Sequence, residues 1–421
     1  MSTFLEKIEV VLLPLAEKFS PIGTPPAALV HQWAHALAAD TSIYAENHGV
    51  TKKALLALLK KEKLFSDRAT FQDQLFEGLP IQPKQNAKFT FIDLFAGIGG
   101  MRLGAQNLGG SCVFSSEFDR FSQQTYFENH REIPFGDIKN IDADCIPNHD
   151  LLLAGFPCQP FSYAGKCEGF EDQTRGTLFF DVLRIIEAKR PKVVLLENVK
   201  GFKSHQNGKT MSIALNALKE AGYNPKWEIL NSYDFGVPQY RERWYCIATR
   251  EENTFEFPIG SLRGSKLKDI IEPENNDKSL GFNKFELDRI DYHFSQNDIR
   301  VEHDNSKYAP HTKKGRHGVF SFQKADGALR FHIGDVAKTQ IQEAFYACME
   351  TYAPTIIANR TPKLWDIKRK LSVLESLRLQ GFPDQFSFGV SNAQAYKQLG
   401  NSVTVPVIEA IVNSALNILT E

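Results

Sequence analysis

Cys158 stands between two prolines, in Gly155-Phe-Pro-Cys-Gln-Pro-Phe-Ser, and that setting is the first sign of chemistry in the sequence. Flanking prolines exclude the interior of a helix or a central strand, so the thiol belongs on a stiff loop. The loop follows the apolar run Asp150-Leu-Leu-Leu-Ala, and open α/β sheets bind ligands at the carboxyl ends of their strands. A thiolate there is a candidate nucleophile, although a lone cysteine is also a common small buried residue. Glu197 ends a second apolar run, Leu195-Leu-Glu-Asn-Val. Desolvation gives such a carboxyl a reason to keep its proton and donate it; capping a helix is the other role open to it. Arg241 and Arg243, in Val237-Pro-Gln-Tyr-Arg-Glu-Arg-Trp-Tyr, alternate along a strand pattern and point to one side. Two guanidiniums on one face suit phosphate or carboxylate binding, or ordinary surface ion pairs.

A second set of residues has the pattern of a nucleotide pocket. Asp93-Leu-Phe-Ala-Gly-Ile-Gly-Gly follows the strand that starts at Phe89. Glycines at a strand-to-helix turn free amide groups for a ligand, or simply make a tight turn. Gly97, Gly99 and Gly100 lie closer together than in the dinucleotide fingerprint. Roughly 20 residues on, Glu117 ends the next strand pattern, where an acid holds ribose hydroxyls or merely faces solvent. Asp137, in Phe135-Gly-Asp-Ile, is placed to hold an adenine amino group or to cap a turn. Near the C-terminus, Gln398-Leu-Gly-Asn-Ser-Val-Thr-Val-Pro puts Asn401 or Ser402 at the cap of the final helix, where free N–H groups also suit a cofactor.

The elements that must position these residues divide the 421-residue chain into four regions. Residues 1–85 read as a helical N-terminal extension, separable from the rest, with Leu55, Leu56, Leu58 and Leu59 on helical spacing. Residues 86–249 alternate apolar strands with helical patterns at 102–108, 177–190 and 210–222, which implies a mostly parallel sheet with helices on both faces. Residues 250–367 lose that rhythm and turn polar. Residues 368–421 return to helix. Hydrophobic residues make up 42% and charged residues 24%, as in ordinary globular proteins. Lys+Arg number 49 against 50 for Asp+Glu, so any basic surface is local. No apolar run approaches the roughly 18 residues of a membrane span, and the N-terminus carries no signal-peptide pattern. The six cysteines show no zinc spacing. A cytoplasmic protein with free thiols, no metal and no membrane is the expectation.

The five blocks, in this order, resemble the bacterial cytosine-5 DNA methyltransferases of restriction–modification systems, including the Dcm type. The likeness covers residues 89–250 and 368–410, and the segment between corresponds in position to the family's variable target-recognition domain. It implies an α/β, doubly wound, S-adenosylmethionine-dependent methyltransferase fold with a smaller irregular target-recognition domain. It implies Cys158 as the nucleophile and Glu197 as the acid holding the cytosine ring. Arg241 and Arg243 would support the catalytic loop and target base, with Gln159, Ser162 and Gln239 beside the substrate. Phe95, Gly97, Gly99, Glu117, Phe118, Asp137, Ile138, Pro157, Leu178, Asn401, Ser402 and Val403 fall at cofactor-pocket positions. Phe118 stands where many members have Trp, Tyr240 where Lys is frequent, and Leu374 where Arg is usual.

In such an enzyme the thiolate adds to carbon 6, which makes carbon 5 electron-rich enough to take a methyl group. The base must first leave its duplex. Glycines 165, 169 and 176 suit residues 162–177 to a loop that closes over it. Segment 250–367, with the basic run Lys313-Lys-Gly-Arg-His, would read sequence. The expected partners are double-stranded DNA and a cognate restriction endonuclease acting on the same site without a stable complex; the chain itself would be a monomer. A tRNA substrate is one alternative, and a DNA-binding regulator built on an N-terminal helical module is another.

Overall fold

The computed structural model describes residues 3–83, 87–157, 178–251, 255–303, 318–334, 342–358 and 360–420. Cys158, Gln159, Ser162, the segment 162–177 and the basic run 313–317 lie outside the described residues.

Four helices come first: α1 (Phe4–Ala16), α2 (Pro26–Ala39), α3 (Lys52–Lys61) and α4 (Arg68–Leu75). Thr3 and Glu6 close a capping box on α1, and Leu5, Ile8, Leu12 and Ala16 form its buried stripe. The Thr51 side chain caps α3 by accepting from Ala54 N.

The central sheet is built from β1 (Phe89–Leu94), β2 (Gly110–Ser116), β3 (Leu151–Gly155), β4 (Val193–Val199), β5 (Asn224–Asn231) and, after the short β6 (Gln239–Tyr240), β7 (Glu242–Thr249). Their spatial order is β2-β1-β3-β4-β7-β5. The pairs among β2, β1, β3 and β4 are parallel, while β7 runs antiparallel to both β4 and β5. Between the strands lie α5 (Gly100–Asn107), α6 (Arg120–His130), α7 (Leu178–Lys189) and α8 (Lys209–Glu220).

Both faces of the sheet are covered, which is why its inner strands are apolar without alternation. Ile92, Leu94, Leu152, Ala154, Val194 and Leu196 share one core with α7, α8 and the N-terminal helices. Phe91, Leu151, Leu153, Val193 and Leu195 face the other way, onto Met101 and Ala105 of α5 and onto the helix Val405–Ser414. The fold is thus the doubly wound α/β class.

Two features differ from the sequence reading. The N-terminal helices are not a detached module, because Trp33, Leu29 and Tyr44 belong to the same continuous core as β1 and β2. Gln32 also donates to Val113 O of β2 at 2.9 Å. The polar segment after residue 250 is less irregular than expected. It holds α9 (Lys284–Ser295) and a second sheet of β8 (Arg300–His303), β9 (Gly318–Gln323), β10 (Leu329–Gly334), β11 (Gln342–Ala347), β13 (Lys363–Leu364) and β14 (Arg369–Lys370). The remaining short strand, β12 (Ala353–Pro354), pairs with β6 and returns the chain to the central domain. No helix among the described residues is long and apolar enough to cross a membrane.

Candidate active site

A cleft of about 750 Å³ opens at the carboxyl ends of β1 to β4, where the topology of an open α/β sheet places its ligands. Each strand end contributes to its wall. Phe95 and Gly97 follow β1, Glu117 and Phe118 follow β2, Gly155 to Pro157 end β3, and Glu197 to Val199 end β4.

The nucleotide-like half is framed by two carboxylates and two aromatic rings. Phe95 sits at φ 56, a left-handed conformation that disfavours side chains by roughly 1–2 kcal/mol and concentrates at functional turns. Glu117 accepts from Gly97 N at 2.8 Å and from Asp119 N at 2.7 Å, so its carboxylate fixes both the glycine turn and the start of α6. Burial raises its pKa, and those backbone donors oppose the rise. Phe118 presents its ring to solvent at the cleft mouth. Asp137 caps the turn 138–140 by accepting from Lys139 N. Ile138, Pro157, Leu178 and Asn401 also line the cleft.

The acid half centres on Glu197. Its carboxylate lies over Gly155 so closely that a methyl group on that glycine would stand 3.4 Å from Oε2. Arg243 Nε is 3.4 Å from Glu197 Oε1. Burial nevertheless holds the Glu197 pKa above the ordinary glutamate value, against the pull of Arg243 and Arg241. Its carboxyl lines the cleft.

Arg241 does something other than bind phosphate. It is buried, and donates to the carbonyls of Ile356 at 2.7 Å, Ser402 at 2.5 Å and Gly400 at 3.3 Å. Burial first, then Arg243, lowers its pKa to about 9. It therefore ties the end of the helix Asn392–Asn401 to the 356–358 strip, both of which wall the cleft.

Several expected residues lie elsewhere. Gln239 is fully buried, donating to Leu379 O and Gln380 Oε1 and accepting from Ile356 N, away from the cleft. Gly99 is the left-handed N-cap of α5, where a β-carbon would meet His130 Nε2 at 2.6 Å. Val403 packs in the core beneath. Ser402 contributes its carbonyl to Arg241 rather than a side chain to the cleft. Neither Asn401 nor Ser402 caps the final long helix, whose N-cap is Thr404; Asn401 ends the preceding helix and Ser402 is its C-cap.

Asn198, a cleft-lining side chain, was passed over by sequence reasoning. It is buried, and its Nδ2 donates to Phe156 O at 2.9 Å. That bond fixes the backbone two residues before Cys158. Its position next to Glu197 was the available signal. Ile357 and Ala358 also line the cleft, although they belong to the segment read as target-recognition. Gln394, Lys397 and Gln398 line it on the helix side.

The cleft suits S-adenosylmethionine. Its lining includes two carboxylates, Glu117 and Asp137, that can accept from hydroxyl or amine groups, and the aromatic side chains Phe95 and Phe118, while the buried Gln398 Nε2 has no partner. Among the described residues the one His/Cys/Asp/Glu group compact enough for a metal, His48, Asp142 and Cys145, lies outside it.

Residues 89–417 match the family described as C-5 cytosine-specific DNA methylase. The chain is 38% identical over 346 residues to the type II methyltransferase M.HhaI of Haemophilus parahaemolyticus, covering 80% of this chain and 98% of that protein. It is 39% identical over 338 residues to M.DsaV of Dactylococcopsis salina, covering 79% and 87%. The crystal structure of S. pombe Dnmt2 methyltransferase shares the fold at a TM-score of 0.53 and 18% identity, over 78% of this chain and 98% of that one. A match to DNA methylases along most of the chain decides for DNA over tRNA as the substrate class, and for an enzyme over a silent regulator. The strand-end cleft and the ordered sequence blocks agree with that match: the chain belongs to the C-5 cytosine-specific DNA methylase family and is a DNA cytosine-5 methyltransferase that uses S-adenosylmethionine.

Proposed function

We propose that the enzyme methylates carbon 5 of one cytosine within a specific duplex sequence, through a covalent bond between Cys158 and carbon 6. The observation that carries this reading is the position of Glu197, whose mostly covered carboxyl lines the cleft beside the Gly155-Phe156-Pro157 strand end that leads into Cys158.

The target atoms are shielded inside a duplex, so the base turns out of its stack into the cleft, at the expense of a few kcal/mol. Glu197 donates to the cytosine ring nitrogen and accepts from the exocyclic amine, and so stabilises charge that builds up on the ring. Arg243 stands beside Glu197 and orients it. Asn198 holds the Phe156 carbonyl and thereby the approach to Cys158. The Cys158 thiolate adds to carbon 6, and electron density moves to carbon 5. Bound in the cleft, S-adenosylmethionine supplies an electrophilic methyl on a sulfonium. Carbon 5 forms the new carbon–carbon bond as the sulfonium's methyl bond breaks. A base then removes the carbon 5 proton, and the electron pair left behind expels the thiolate.

Glu117 and Asp137 are assigned to the ribose and adenine of the donor, with Phe95, Phe118 and Ile138 against its ring. The second sheet, made of β8 to β11 with β13 and β14, is assigned to sequence recognition. The biological role that follows is protection of host DNA, in the cytoplasm, from a cognate endonuclease that shares the target site. Bisulfite sequencing of DNA from cells expressing the chain tests the reading. Conversion-resistant cytosines at one recurrent sequence are expected, and uniformly converted DNA would refute it.

A further inference from the structure

We propose that the N-terminal helical extension shapes the donor pocket through Thr24, which acts as a positioning residue for S-adenosylmethionine. The inference rests on the reading of the pocket given above.

Residues 136–140 carry Asp137, Ile138 and Lys139 of the cleft wall. They lie beyond β2, at the edge of the sheet, where a third parallel strand would run. A single bridge, Ser116 with Phe135, is the strand pairing described there. Gly136 is buried, and its backbone groups still need partners; the extension supplies one for the N–H and β2 one for the carbonyl. Gly136 N donates to Thr24 Oγ1 at 3.0 Å, while Gly136 O accepts from Ser116 Oγ at 2.9 Å. At the far end of the segment, Asn140 Nδ2 donates to Ile22 O at 3.1 Å.

The fit is too close for a side chain at residue 136. A β-carbon there would stand 2.6 Å from Gly23 O and 3.3 Å from Thr24 Oγ1. Thr24 itself is only 6% exposed. The flanks are tied in the same way. Ile133 N donates to His31 Nδ1 at 3.1 Å, and Ala45 N donates to Cys145 O at 2.9 Å. The Tyr44 ring packs 4.7 Å from Phe135. The family match begins at residue 89, so every one of these supports on the 22–45 side comes from outside it. The backbone that sets Asp137 against the donor's purine is thus held by the extension, with Thr24 making the hydrogen bond to the residue next to Asp137.

Calorimetric titration with S-adenosylhomocysteine, without DNA, tests this on the full chain. Thr24→Ala is expected to weaken binding about five-fold, the effect of one buried hydrogen bond. In turnover assays KM for the donor rises by a similar factor, and kcat at saturation stays near wild type. Thr24→Ser keeps the hydroxyl and restores affinity. Leu55→Ala empties a buried site on α3 far along the extension; it lowers the melting temperature but leaves affinity unchanged. Wild-type affinity in Thr24→Ala would overturn the inference, as would equal weakening by Leu55→Ala. A wild-type chain that binds no S-adenosylhomocysteine would instead overturn the pocket reading and this inference with it.

Discussion

Arg241→Met separates a structural arginine from a catalytic one. The wild-type guanidinium donates to Ile356 O at 2.7 Å and Ser402 O at 2.5 Å, with a longer third bond to Gly400 O. Methionine fills much of the volume and supplies no donor. The first two carbonyls then lose their partner in a buried place, which costs about 1–3 kcal/mol each. Part of that loss is offset because a cation no longer has to be kept out of water, a penalty visible in the lowering of the Arg241 pKa to about 9. The net destabilisation is about 2–4 kcal/mol, a large share of the roughly 5–15 kcal/mol that holds a typical domain. For a large domain this lowers the melting temperature by roughly 4–10 °C. Arg243→Met is the matched control. Arg243 makes one 3.4 Å ion pair with Glu197 and one bond to Glu242 O, at the edge of the cleft. Its loss should leave the melting temperature within about 1 °C of wild type, while kcat falls. Scanning calorimetry and steady-state kinetics on both variants measure the contrast. An unchanged melting temperature in Arg241→Met, or equal destabilisation by Arg243→Met, would refute the assignment.

Two further variants probe the acid half of the cleft. Glu197 holds its proton to a higher pH when folded than the ordinary 4.5 of the unfolded chain. Its contribution to stability is therefore present at low pH and lost as pH rises from 4.5 through the raised value. Relative to Glu197→Gln, wild type should lose stability across that window in denaturant titrations, and parallel curves would contradict the pKa direction. Asn198→Ala frees the Phe156 carbonyl. It should lower kcat by about ten-fold, the equivalent of one buried hydrogen bond expressed in the transition state, without changing S-adenosylhomocysteine affinity. Reduced affinity with normal kcat would place Asn198 in the donor pocket instead.

The residues legible in the sequence are those whose role is local. Glu197 could be placed because an apolar run ending in an acid is a buried strand end, whatever the rest of the chain does. Gly97 and Glu117 follow from the same logic one strand apart, and the structure joins them by a 2.8 Å hydrogen bond. What stayed hidden depends on distant partners. Arg241 looks like an anion binder until the carbonyls 115 and 161 residues away arrive beside it. Gln239 is buried for the same reason, held by Leu379, Gln380 and Ile356. The final helix start was misread by a few residues, although Pro406 in its first turn was the signal. In the second sheet, Leu329-Arg-Phe-His-Ile alternates apolar and polar residues. That period-two pattern marks a half-buried strand, but over so few residues it is faint against a polar background. The unity of the N-terminal helices with the sheet could not be read from periodicity. A buried helical face is the same in a free module and in a docked one.

The covalent step is tested most directly with a duplex that carries 5-fluorocytosine at the target position. Fluorine replaces the proton that must leave carbon 5, so elimination of the thiolate is blocked after methyl transfer. With S-adenosylmethionine present, wild-type protein should form a complex that survives denaturing electrophoresis, with the added mass on the peptide containing Cys158. Cys158→Ser should form none. No trapped complex with wild type, or an equal yield with Cys158→Ser, would contradict the account.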